Sequence, residues 1–142
     1  MNWIVELGKI SWMGVGVAIL ASYVLGFSWY HWNLLGKPWA TALGMTKEEA
    51  DNLDGMGGVF AFSLVGGIIK AVFIALLMEG TGTNSISGGL LFGLLIGISF
   101  AATSVIYHDG FARRPRIMTY IDAAFDVIEL ALIGAIYGAF FL

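Results

Sequence analysis

The chain has 142 residues, of which 58% are hydrophobic and only 12% are charged, whereas a soluble domain is about half apolar and about a quarter charged. This composition excludes an ordinary soluble domain, and no basic patch indicates binding to nucleic acid. The chain has no cysteine, which excludes disulfides, thiolate metal sites and thiol nucleophiles.

Four apolar segments are long enough to cross a bilayer, which takes roughly 20 residues. They are residues 10–30, 56–78, 86–107 and 120–142. We expect the first to be retained and not cleaved as a signal peptide, because Glu6 lies in its N-terminal region and no A-x-A site follows. The sequence therefore predicts one all-α membrane domain over residues 1–142, folded as a four-transmembrane-helix antiparallel bundle.

The loop between the first two segments contains two local signals. Thr46 is followed three residues later by Glu49, which is the pattern of a capping box and predicts a short surface helix from Lys47 to Leu53. Before it, the stretch Lys37–Pro38–Trp39 is typical of an interfacial anchor, with the Trp at the level of the lipid headgroups.

The distribution of basic residues predicts the orientation in the membrane. Lys9 is the only basic residue on the side that holds both termini and the second loop. The first and third loops hold five, namely Lys37, Lys47, Arg113, Arg114 and Arg116. The positive-inside rule therefore places the first and third loops, with the surface helix, in the cytoplasm and both termini on the outer face.

Each predicted helix has small residues at every fourth position, and the third helix has Gly89, Gly93, Gly97 and Ala101. Such ridges let helix backbones approach closely in lipid. Packing within one bundle is the favoured interpretation. Since each helix of a bundle has only two neighbours, we also expect at least one ridge, that of Gly89 to Ala101, to be free for another subunit of a homo-oligomer.

The fourth helix contains three acids, Asp122, Asp126 and Glu129, within roughly 60° of one another on a helix of 3.6 residues per turn. Tyr137 continues the same stripe. Because a carboxylate in mid-membrane costs about 2.5–3.5 kcal/mol, these acids cannot face lipid. Asp122 is predicted to cap the helix start at the interface. For Glu129 the default interpretation is functional, although a buried structural pair is an alternative.

Lys70 is the only basic residue inside a predicted span, and Gly66 and Gly67 leave room beside it. It lies too deep for its ammonium to reach the headgroups easily. We therefore predict an ion pair with Glu129, with Asp126 as the next candidate, and a buried polar track that includes Asp122 and Tyr137.

Two histidines, His31 and His108, end the first and third segments on the same predicted side. They are low-probability metal ligands, since no third ligand is suitably spaced and interfacial His is usually a belt residue. The glycines of residues 80–89 are turn residues and no strand precedes them, so a phosphate loop is not expected. The sequence predicts no cofactor and no enzyme.

Several motifs together resemble a known family. They are Trp29–Tyr30, Gly36–Lys37 with Trp39, Arg113–Arg114–Pro115, Ile121–Asp122–Ala123 and Gly134–Ala135–Ile136. Their order is similar to that of small bacterial membrane proteins known as domain of unknown function 1761. The resemblance spans nearly the whole chain and implies four transmembrane helices in an inner membrane, with no stated function. Asp126 and Glu129 depart from the uncharged residues of that pattern.

Two functions from different classes remain at this stage. The first is movement of a proton, a cation or a small solute along the buried acidic track, because intramembrane acids at staggered depths can form a relay. The alternative is a non-transporting structural or accessory subunit that self-associates or docks on a larger membrane complex. In both cases the bilayer is the first partner of the chain.

Overall fold

A computed structural model describes residues 2–141, and within that range every regular element is helical. The helices are α1 (Trp3–Leu7), α2 (Trp12–Trp29), α3 (Lys37–Ala42), α4 (Lys47–Asp51), α5 (Gly57–Thr81), α6 (Ile86–Phe111) and α7 (Arg116–Ala139). Three of them, α2, α5 and α6, are long and apolar enough to cross a membrane.

Local chemistry sets the helix ends. Ser11 and Ser85 accept hydrogen bonds from the backbone N–H groups of Gly14 and Gly88, which caps the starts of α2 and α6. Helix α5 ends at Gly82, which adopts a left-handed conformation with φ of 69° that a residue with a Cβ adopts only under strain. Helix α7 starts one turn before the predicted Tyr120, because Pro115 precedes it with an extended ψ.

The first loop contains more helix than the sequence predicted. The capping box of Thr46 and Glu49 is confirmed, and the helix that follows ends at Asp51, two residues before the predicted Leu53. The stretch Lys37–Pro38–Trp39, predicted as an interfacial anchor, forms the start of α3. Pro38 lies in the first turn of the helix, where no backbone N–H is needed. A kinked turn at Trp32–Gly36, in which Leu34 has a non-helical backbone, links α2 to α3.

Helix α7 is the central element, because α2, α3, α5 and α6 all pack against it. Its buried side chains Ile133 and Tyr137 meet Ile74 and Met78 of α5 in the apolar core. Close packing of these side chains at a shared face joins α5 to α7.

The small-residue ridge of α6 faces α7, so the expectation that it is free for another subunit is wrong. A Cβ at Gly89 would overlap the carbonyl of Gly134, and one at Gly93 would overlap the carbonyl of Leu130. A Cβ at Gly97 would lie 2.8 Å from the Cα of Val127. The contacts run in opposite directions along the two helices, which makes them antiparallel.

The ridge is therefore used inside the chain. Ala101, its last member, is only partly buried and packs against the core. The prediction of a homo-oligomer was motivated by a free ridge on this helix, and the structure removes that motivation.

Candidate functional site

An ion pair joins two distant segments in the interior. The ammonium of Lys70 on α5 donates to the carboxylate of Glu129 on α7. The Glu129 side chain is only 7% exposed and that of Lys70 is 36% exposed. The contact predicted from the sequence is therefore confirmed, and it is the feature around which the other polar groups are arranged.

Asp122 does not cap the start of α7, contrary to the prediction. The helix starts at Arg116, so Asp122 lies in its second turn. Its Oδ1 instead accepts hydrogen bonds from the Tyr30 hydroxyl at 2.7 Å and the Trp39 indole N–H at 3.0 Å. Asp122 thus connects the first loop to α7.

Asp126 lies one turn before Glu129 and faces a different space. Together with Lys70 it lines a crevice of about 510 Å³ between α5 and α6. A π-helical segment, Gly97–Ala102, contributes Phe100 and Ala101 to the α6 wall of that crevice. Single π-helical turns inside α-helices are frequent at functional sites. Lys70 thus lines this crevice together with Asp126 and also forms the ion pair with Glu129.

Tyr137 belongs to a separate polar cluster. Its hydroxyl donates to Glu79 Oε1 at 2.6 Å and accepts from the backbone N–H of Ser11 at 3.2 Å. Glu79 was missed in the sequence because it ends an apolar run and resembles an interfacial residue. Between Glu129 and Tyr137, two turns apart, α7 presents the fully buried Ile133. The predicted track is therefore interrupted by an apolar layer.

A cavity of about 550 Å³ lies between α2, α5 and α7, and Lys70 and Glu129 are among the residues that line it. Its size is typical of small-molecule sites. Five aromatic side chains contribute to its walls, and Ala50 and Leu53 from the first loop border it. Gly67 is buried on its α5 wall, yet a Cβ built there would meet no atom within 4 Å. Gly67 thus leaves space that a larger side chain would fill, as the sequence suggested.

Ser22 was not singled out in the sequence, and it is the most unusual polar group of this cavity. The residue is 5% exposed, lines the cavity, and its Oγ has no hydrogen-bond partner within the described chain. A helical Ser normally bonds to the carbonyl one turn back. A buried hydroxyl without a partner costs free energy, so this position needs an explanation.

The two histidines lie apart from this interior site. His31 is exposed and its Nδ1 accepts from the backbone N–H of Asn33, while the exposed His108 packs against Tyr107. Among residues 2–141 no group of three His, Asp or Glu side chains is arranged for a metal ion. A buried cluster near His108 was missed: Asp109 accepts from Thr119 and pairs with Arg114, which closes the third loop.

The described part of the chain is all-helical and contains an interior ion pair. Its three apolar helices suggest association with a membrane. A family model described as "Protein of unknown function (DUF1761)" matches residues 13–138. The chain therefore belongs to this family, as the resemblance indicated. Neither the curated proteins nor the solved structures gave a match.

Proposed function

We propose that four helices, α2, α5, α6 and α7, cross a bacterial inner membrane as an antiparallel bundle. Helix α7 has 24 residues, and at 1.5 Å per residue it exceeds the bilayer core of about 30 Å. Asp122 and Glu129 contact other parts of the chain and Asp126 lines a crevice, so the helix can present its apolar faces to lipid. In this arrangement α3 and α4 lie at the cytoplasmic surface and both termini are outside.

Single cysteines test this topology directly, since the native chain has none. With the first loop in the cytoplasm, Thr83→Cys should react with a membrane-impermeant thiol reagent in whole cells and Thr46→Cys should not. Both should react after the cells are lysed, which controls for buried thiols. The reverse labelling pattern would overturn the orientation.

The protein, in this proposal, is not an enzyme and moves a proton, a cation or another small solute across the membrane. The single observation behind it is the Lys70–Glu129 pair in the wall of a cavity. Acids and bases within spans are expensive, and they commonly mark ion and proton pathways. The apolar layer around Ile133 separates this pair from the Glu79–Tyr137 cluster. Movement would therefore require the helices to shift so that the layer opens.

Purified protein in liposomes tests this function. An internal pH-sensitive dye should report a flux of protons that depends on the protein, and imposed Na⁺ and K⁺ gradients extend the test to cations. Glu129→Gln should abolish the flux because it removes the carboxylate charge that pairs with the Lys70 ammonium. The matched control is Glu48→Gln on α4, an exposed position that should leave the flux unchanged.

The accessory-subunit alternative predicts a different outcome. Wild-type vesicles would show no flux, and the protein would be isolated with a second copy or with a stoichiometric partner. Either finding without flux would contradict the transport proposal and support docking on itself or on a larger complex.

A further inference from the structure

We propose that the cavity between α2, α5 and α7 binds a neutral, membrane-soluble ring compound whose carbonyl oxygens accept hydrogen bonds, that is, a compound of the quinone class. This goes beyond the proposed function, because binding does not require that anything crosses the membrane. Three features of the cavity define the ligand: its free hydrogen-bonding groups, its charge balance and its walls.

The free polar groups are hydrogen-bond donors. Within the described chain the Lys70 ammonium makes one hydrogen bond, to Glu129, which leaves two N–H groups available. Ser22 also lines the cavity, but its hydroxyl oxygen is buried with almost no accessible surface, so the donors that a ligand can reach are those of Lys70. A ligand oxygen that accepts from Lys70 would use this free capacity, and carbonyl oxygens are good acceptors.

The charge balance favours a neutral ligand. Lys70 and Glu129 have opposite charges and face the cavity together. An anionic headgroup would lie beside the Glu129 carboxylate, and a cationic one would lie beside the Lys70 ammonium. Like charges in a poorly hydrated site repel strongly, whereas a neutral carbonyl avoids both costs.

The walls favour a flat ring that arrives from the lipid. Five of the lining residues are aromatic, namely Tyr23, Phe27, Tyr30, Phe60 and Phe125. Phe27 and Phe60 are stacked with ring centroids 6.2 Å apart, and such surfaces favour contact with another planar ring. At the mouth, Phe27 is 61% and Val59 is 55% exposed. An apolar mouth on helices that face lipid admits a membrane-soluble molecule.

Native mass spectrometry of the protein in nanodiscs tests this inference with two probes that share a tail. Decyl-substituted benzoquinone should form a one-to-one complex with the protein. Decylbenzene, which has the ring and tail without the oxygens, should bind about tenfold more weakly, as expected for lost hydrogen bonds to a buried donor.

Two variants locate the site. Gly67→Leu should abolish binding because its side chain fills the space beside Gly67, while Gly16→Leu, a position on α2 outside the cavity that is also open to a Cβ, should bind normally. If Gly67→Leu does not fold, Gly67→Ala should fold and bind more weakly than wild type.

Equal affinity for the two probes would overturn the inference and indicate a cavity for a hydrocarbon chain. Quinone binding that Gly67→Leu or Gly67→Ala leaves unchanged would overturn it too, as would phospholipid adducts without a quinone adduct. Binding in native spectra is independent of flux in liposomes, so failure of this inference is distinguishable from failure of the transport proposal.

Discussion

Two acidic residues of the apolar helix α7 are stabilised by different partners. Asp122 accepts from Tyr30 and Trp39 near the first loop, whereas Glu129 pairs with Lys70 in the interior. Each carboxylate therefore has its own partners, and a shared helix face does not give these acids a shared role. Removing the partner of Glu129, the more buried of the two acids, should reduce the stability of the fold more than removing a partner of Asp122.

Glu49 provides a prediction at this scale. Its carboxylate accepts from the backbone N–H and the hydroxyl of Thr46, and the backbone hydrogen bond is the larger cause that lowers the pKa of Glu49 below its ordinary 4.5. A lowered folded-state pKa gives stabilisation that is full above 4.5 and is lost as the pH falls through the folded value. Protection of the α4 amides against hydrogen exchange should therefore fall in acid.

The control for Glu49 is a pair of neutral variants. Glu49→Gln should show weaker protection of α4 at neutral pH and little further loss in acid, while Glu48→Gln should behave like wild type. Wild-type protection that does not change through this pH range would show that the capping box does not stabilise α4.

The sequence predicted some of these residue contacts for a clear physical reason. A single Lys in one apolar segment is costly unless it meets an acid from another, so Lys70 could be paired with Glu129 in advance, with Asp126 as the next candidate. Asp122 was wrongly predicted to cap the helix, because its actual partners come from a loop whose path depends on the turn at Trp32–Gly36. Ser22 gave no signal, since a single Ser in a transmembrane helix is ordinary and its lack of a partner is visible only in three dimensions.

At the scale of elements, the packing of α6 on α7 depends on backbone contact. Gly93 lies against the carbonyl of Leu130, and Gly89 lies against Gly134. The sequence predicted that such a ridge packs closely, but the helix it meets depends on the whole arrangement. Helix limits were also less predictable than helix existence, because ends such as Pro115 and Gly82 are set by local caps and turns.

Substitution of Gly93 tests this packing. Gly93→Ala should destabilise the fold by about 1–3 kcal/mol, because the new methyl group overlaps a backbone that cannot retreat without separating α6 from α7. Gly16→Ala makes the same chemical change where nothing lies within 4 Å, so it should be neutral or stabilise by up to about 1 kcal/mol. Unfolding in mild detergent measures both, and equal stabilities would contradict the packing.

At the scale of the whole molecule, two polar clusters are separated by an apolar layer. The Lys70–Glu129 pair lies on one side of Ile133 and the Glu79–Tyr137 pair lies on the other. The sequence joined Glu129 and Tyr137 into one track because they share a helix face. It could not show that α5 and the start of α2 supply Tyr137 with partners of its own.

The central claim is that Lys70 and Glu129, which are 59 residues apart in the chain, form one interior ion pair. A double-mutant cycle in thermal or denaturant unfolding tests it most directly. Lys70→Met and Glu129→Gln should each cost about 3–5 kcal/mol, because each leaves a charge without its partner, and the double variant should recover much of the loss. The same cycle on the exposed Lys47–Asp51 pair should give a coupling of at most about 1 kcal/mol. Additive losses at Lys70 and Glu129 would contradict the account.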